Sequence, residues 1–90
     1  MEIEKADVVI SLNGRDVGKR FLVVGKNDGY SLIADGKGRR LEKPKLKKNK
    51  HLKLEDKAGG LVADKLAGGQ KVTNNEIRRV LAKYATDHGD

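Results

Sequence analysis

The 90-residue chain has no cysteine. That removes disulfides, thiolate zinc sites and thiol nucleophiles together. It also sets the chain apart from small secreted domains, which commonly need such staples to stay folded. Aromatic residues are nearly absent: Phe21, Tyr30 and Tyr84 are the whole set, so a core must be built from Val, Ile and Leu. No apolar run approaches the roughly 20 residues of a membrane-spanning helix. The opening Met1-Glu2-Ile3-Glu4 is acidic and lacks the apolar stretch of a signal peptide. His51 and His88 stand far apart and make no metal-ligand pattern. No G-x-S-x-G, H-E-x-x-H or P-loop occurs, and the acidic residues are scattered. The expectation is a cytoplasmic, non-enzymatic protein with no cofactor, no metal, no membrane segment and no small-molecule substrate.

What the chain does have is charge, and its location is informative. The formal net charge is +7. Residues 37–53 hold nine Lys/Arg (Lys37, Arg39, Arg40, Lys43, Lys45, Lys47, Lys48, Lys50, Lys53) against the single acid Glu42, a local charge of +8. The remainder of the chain, with eleven basic and twelve acidic residues, is at −1. A charge that served solubility alone would be dispersed. A block of one sign creates a directional field that attracts a polyanion.

Length permits one domain with a thin core. Asp7 to Leu12 reads as a strand, with Val8, Ile10 and Leu12 on one face at period two. Asn13-Gly14-Arg15-Asp16 is a turn signal. Lys19 to Gly25 is a second strand, and its continuous Phe21-Leu22-Val23-Val24 run predicts cover on both faces. Lys26-Asn27-Asp28-Gly29 is a hairpin turn, Tyr30 to Ala34 a third strand, and Asp35-Gly36-Lys37-Gly38 a third turn. This last segment lacks the length and following helix of a phosphate loop. A weaker fourth strand is expected from Arg39 to Lys43 around Leu41, ended by Pro44. His51-Leu52-Lys53-Leu54 alternates, which predicts Leu52 and Leu54 inward and His51 and Lys53 outward. Short strands at this spacing predict a small barrel.

Beyond Glu55 the pattern turns helical. Leu61, Val62 and Leu66 support a short helix over 61–67, followed by Gly68-Gly69. Thr73 and Glu76 form a capping box, and Ile77, Val80, Leu81 and Tyr84 then make one apolar stripe over 73–84. The expected organisation is a barrel over 1–55, a helical appendage over 56–85 and a flexible tail over 86–90.

The segment Val9-Ile10-Ser11-Leu12-Asn13-Gly14-Arg15-Asp16-Val17-Gly18-Lys19-Arg20-Phe21-Leu22-Val23-Val24 places a G-x-x-x-G-K turn between two apolar strands. It resembles the KOW motif of SH3-like barrels in ribosomal proteins and transcription elongation factors. Gly18 and Lys19 match the motif's glycine and the basic residue after it, and Phe21 stands where a small residue is usual. The resemblance extends through Leu32-Ile33-Ala34-Asp35-Gly36-Lys37, Arg39 to Lys45, Lys47-Lys48, His51-Leu52 and Val72 to Arg78. Over most of its length the chain is similar to short bacterial KOW-domain RNA-binding proteins. These are similar in turn to large-subunit ribosomal proteins of archaea and eukaryotes. The resemblance implies a mainly β fold with α, an SH3-like (KOW) barrel followed by two short helices, and binding to structured RNA, ribosomal RNA above all.

The residues expected to meet RNA are Arg15, Lys19 and Arg20 at the first turn, and Lys37, Arg39, Arg40, Lys43, Lys45, Lys47, Lys48, Lys50, His51 and Lys53. Gly14 and Gly18 are expected to shape the turn. Lysine and arginine supply charge and donors to phosphate oxygens, which position a protein without reading sequence. Leu41, Leu46 and Leu52 are expected to tack the basic segment to the barrel. Two other readings stand beside this one. The 61–67 and 73–84 helices around Gly68-Gly69 superficially resemble a DNA-binding helix-turn-helix. Alternatively, the barrel or last helix recruits a protein partner; the last helix, whose stripe is expected to pack on the barrel or the 61–67 helix, could otherwise lay Arg78, Arg79 and Lys83 along RNA.

Overall fold

In β1 (Asp7–Ser11) the side chains of Val8 and Val9 are both fully buried, although they point to opposite faces. The strand therefore has cover on both sides, and the arrangement of the molecule follows from that. The computed structural model describes residues 2–87. After β1 come β2 (Arg20–Asn27), β3 (Tyr30–Ala34), β4 (Lys45–Lys48), a single 3-10 turn (Asn49–His51), β5 (Leu52–Lys57), α1 (Gly60–Ala67) and α2 (Asn74–Asp87). The strands form one antiparallel sheet in the order β4-β3-β2-β1-β5. The protein is thus a small mixed α/β fold.

The sheet is open: β4 and β5 are its two edges and do not pair with each other, so the expected barrel is not closed. It is nonetheless strongly coiled. Five flat strands would set the edges about 19 Å apart. The three residues of the 3-10 turn leave four Cα steps between Lys48 and Leu52, at most about 14 Å fully extended. Two bulges supply curvature. One lies between Val23 and Gly25 opposite β3, and the other is in β5, where Val8 pairs with Asp56 but Val9 with Leu54.

Each face of the sheet carries its own core. On one, Val8, Leu22 and Ala34 meet Ala58, Val62, Val72 and Ile77 from the helical half, with Leu66, Val80, Leu81 and Tyr84 packed around them. The stripe of α2 thus packs on the sheet, with Leu81 at its margin only partly covered. On the other face Ile3, Val9, Phe21, Val23, Ile33 and Leu52 pack together. The double cover expected for the Phe21–Val24 run is present. Phe21, Leu22 and Val23 are fully buried, and burial of a side chain of this size contributes about 1.5–3 kcal/mol.

Several sequence expectations are corrected. The fourth strand is not Arg39–Lys43, which is loop and turn, but Lys45–Lys48, immediately after Pro44. Proline cannot donate to a ladder, so pairing begins beyond it. β1 is not one-sided: it ends at Ser11, and Leu12 is half-exposed. β5 runs two residues past the expected barrel limit at 55, and its continuation Ala58 already belongs to the shared core. The flexible tail expected over 86–90 falls partly within α2, which reaches Asp87. Its remainder, with His88, lies outside the described residues. The capping box forms as read: Thr73 Oγ1 accepts from the Glu76 N–H at 3.2 Å, and Glu76 Oε1 accepts from the Thr73 N–H at 2.9 Å.

Candidate nucleic-acid interface

The turn from β1 to β2 is tight. The N–H of Gly18 donates to Ser11 O at 2.8 Å and that of Ser11 to Lys19 O at 3.0 Å, which closes the loop on the strand it leaves. Gly18 has φ +83°, a conformation that costs a side-chain-bearing residue energy but not glycine. The loop exposes Arg15 and Lys19 and holds Asp16 underneath, with 9% of its side chain accessible.

Asp16 gathers cations from three segments. Arg39 donates to its Oδ2 from Nη2 at 2.9 Å and from Nε at 3.2 Å. Lys45 Nζ lies 3.8 Å from the same oxygen, and Lys19 Nζ lies 3.8 Å from Oδ1. Burial pushes the Asp16 carboxyl up, but the Arg39 hydrogen bonds and the charges of Arg39, Lys45 and Lys19 outweigh it, so it sits below the usual aspartate value. One carboxylate thereby joins the 13–19 turn, the 35–44 loop and the start of β4, with three cations around a single negative charge.

The 35–44 loop is braced from within and from α2. Asp35 Oδ1 accepts the N–H groups of Lys37 and Arg39, both at 2.9 Å. Arg78 of α2 donates from Nη1 to Gly36 O. Asn74, at the start of α2, accepts from the Leu41 N–H at 2.7 Å and donates to Glu42 at 2.9 and 3.1 Å. Lys37, Arg40 and Lys43 project from this ordered loop and are exposed. Arg40 reaches Glu42 only at 3.7 Å, with more than half of its side chain in solvent.

Two expected contact residues are committed elsewhere. Lys47 is buried at 8% exposure, and its Nζ donates to Asn13 O at 2.9 Å. The register Ser31↔Lys47 and Leu32↔Leu46 turns Lys47 inward and leaves Leu46 47% exposed, so Leu46 is not the anchor that the sequence suggested. The aliphatic stem of lysine tolerates this position because the ammonium finds a carbonyl. Arg20 grips Glu55, Nε to Oε1 at 2.7 Å and Nη2 to Oε2 at 3.2 Å. The β5 bulge places Glu55 for that pairing. Lys48, Lys50 and Lys53 are exposed along β4, the 3-10 turn and β5, whereas His51 is only half-exposed. The sequence reading weighed Arg78 only as a cation that α2 lays along RNA, not as a brace of the loop, and did not name Asn74 at the site. Their side chains reach back 42 and 33 residues, and the stripe pattern of α2 carries no sign of it.

Among the described residues no group of three His, Asp or Glu side chains is placed to hold a metal, and no helix is long and apolar enough to cross a membrane. No protein-family model matches the chain, and no curated protein matches its sequence.

Proposed function

We propose that the chain is a non-catalytic, cytoplasmic RNA-binding protein of the KOW type. It would grip structured RNA, ribosomal RNA foremost, through the basic end made by the 13–19 turn, the 35–44 loop and β4. The observation that carries this reading is the convergence on Asp16. A buried carboxylate draws Arg39, Lys45 and Lys19 together from three segments, while Arg15, Lys37, Arg40 and Lys43 remain exposed on the same loops. Like charges held in one place repel, and a polyanion relieves that repulsion while releasing its counterions.

The SH3-like part of the reading is supported by the topology. A four-strand meander whose fifth strand returns beside the first through a single 3-10 turn is the pairing such a barrel would have. The tight G-x-x-x-G-K turn with Gly18 at positive φ is where the motif would bend. The helix-turn-helix alternative is disfavoured because Val62 of α1 and Ile77 of α2 lie in the core against the sheet.

The test is binding of the purified protein to a structured ribosomal RNA fragment and to duplex DNA of equal length, across a salt series, with sedimentation of the protein in lysate beside it. Tighter binding to RNA, falling steeply with salt, and co-migration with ribosomal particles that ribonuclease abolishes are expected. Absence of RNA affinity at low salt, or equal affinity for duplex DNA, would overturn the reading.

A further inference from the structure

Between the 13–19 turn, the 35–39 segment and the middle of α2 lies a groove made of two adjoining hollows. The first, about 380 Å³, is lined by Gly18, Lys19, Arg20, Arg78, Leu81 and Ala82 and is bordered by Asp35 and Lys37. The second, about 710 Å³, is lined by Arg15, Asp16, Gly38 and Arg39 and shares Lys19, Asp35 and Lys37 with the first. The two differ in chemistry. One has an apolar floor from α2 beneath a basic rim, and the other is lined by charged side chains and Gly38.

We infer that this groove takes one unpaired nucleotide of an RNA, with its base on the Leu81–Ala82 floor beside Arg78 and its flanking phosphates in the second hollow against Arg15, Lys19 and Lys37. The inference rests on the RNA-binding reading and narrows it to RNA with a bulged or looped-out nucleotide. Charge is the first argument. The lining cations Arg15, Lys19, Arg20, Lys37, Arg39 and Arg78 face Asp16, Asp35 and Glu55, the partner of Arg20, an excess of three positive charges in one groove. Size is the second. A hollow of a few hundred Å³ is the size that holds a single small ligand, here one nucleotide. The third is the pairing of an apolar floor with a guanidinium. A base extruded from its stack is bound by apolar or arginine surfaces, whereas a phosphate alone needs no floor. The groove is also held in shape without ligand. The bond from Arg78 to Gly36 O and the turn closed by Asp35 fix two of its walls.

The test compares a labelled RNA hairpin carrying one bulged nucleotide, made with each of the four bases, with the same hairpin fully paired, at one salt concentration. Wild type should prefer at least one bulged form by about tenfold, the order expected for covering part of one base face with an apolar floor. Ala82→Leu fills the groove with a branched aliphatic side chain that offers no flat face for stacking, from an exposed position on α2, so the fold should be unaffected. It should abolish the preference and leave affinity for the paired hairpin unchanged. Arg78→Gln should reduce the preference in the same direction. Equal affinity of wild type for bulged and paired hairpins would overturn the inference while leaving RNA binding intact, as would a preference that survives Ala82→Leu. Failure of wild type to bind any of the hairpins at low salt would overturn both the inference and the reading beneath it.

Discussion

Asn74 Oδ1 accepts the backbone N–H of Leu41 at 2.7 Å, which ties the first turn of α2 to the middle of the most basic loop in the protein. The same amide donates to Glu42, so a single buried side chain fixes two consecutive loop residues. Asn74→Ala should leave a part-buried N–H without a partner, at a cost of about 1–3 kcal/mol. It should also lower RNA affinity, because Arg40 and Lys43 would no longer be held in place. Urea denaturation reads the first effect and fluorescence anisotropy the second. Unchanged stability together with unchanged affinity would show that the loop keeps its shape without α2.

Asp16 predicts a specific pH dependence. Its cation partners hold the folded-state pKa below the ordinary aspartate value, despite the opposing effect of burial. A group with a depressed folded pKa binds its proton more weakly in the native state. Its stabilisation is therefore fully present above the unfolded value of about 4 and is lost as pH falls through the lower, folded value. Asp16→Asn should destabilise the protein at neutral pH by about 1.5–3 kcal/mol, the range for hydrogen bonds to charged groups. The difference between variant and wild type should shrink below about pH 4. Thermal unfolding of both proteins from pH 7 to pH 2 measures it. A difference constant with pH would mean that the carboxylate's charge is not what joins the three segments.

Local pattern made a good part of this fold legible. The continuous Phe21–Val24 run implied cover on both faces, and Thr73 and Glu76 marked the start of α2, because both signals depend on residues a few positions apart. What stayed hidden depended on long-range geometry. Lys45-Leu46-Lys47-Lys48 reads as leucine in and lysine out. The edge-strand register reverses it, because Lys47 can reach the carbonyl of Asn13 across the coiled sheet. Leu12 continues the period-two face of β1, but the chain turns at Ser11 and leaves it exposed. At the candidate site, the charge block pointed to the 35–44 loop and β4, where Lys37, Arg40, Lys43 and Lys48 are exposed. The sequence offered no means of separating exposed cations from Arg20 and Lys47, whose partners Glu55 and Asn13 lie on other strands and turns.

Two glycines in the 35–38 segment should behave oppositely. Gly36 has φ +79°, and an added Cβ would lie 2.5 Å from Asn74 O and 2.9 Å from Arg78 Cγ. Gly36→Ala therefore combines backbone strain with a clash against helix backbone that cannot move aside, a cost of about 2–4 kcal/mol. An added Cβ at Gly38 meets nothing within 4 Å, so Gly38→Ala should leave stability within about 0.5 kcal/mol of wild type. Denaturant midpoints of the two variants give the contrast. Equal effects would mean that α2 does not press on this loop.

Exposed and inward cations should separate in the same way when RNA binding is measured. Arg40, Lys43, Lys48 and Lys50 are exposed, whereas Lys47 is buried with its ammonium on Asn13 O. Replacing the four exposed residues with Ala should leave the unfolding midpoint nearly unchanged, because exposed charges contribute little to stability. It should weaken binding to many RNAs together. Each phosphate contact removed should lower the steepness of log affinity against log salt by about one unit. Lys47→Ala should do the reverse, costing about 1–3 kcal/mol of stability through the lost buried bond while leaving the salt slope near its wild-type value. A four-residue variant with an unaltered salt slope would remove the basic loop and β4 from the interface. A Lys47 variant that lost slope without losing stability would mean that this lysine leaves its internal partner to meet phosphate.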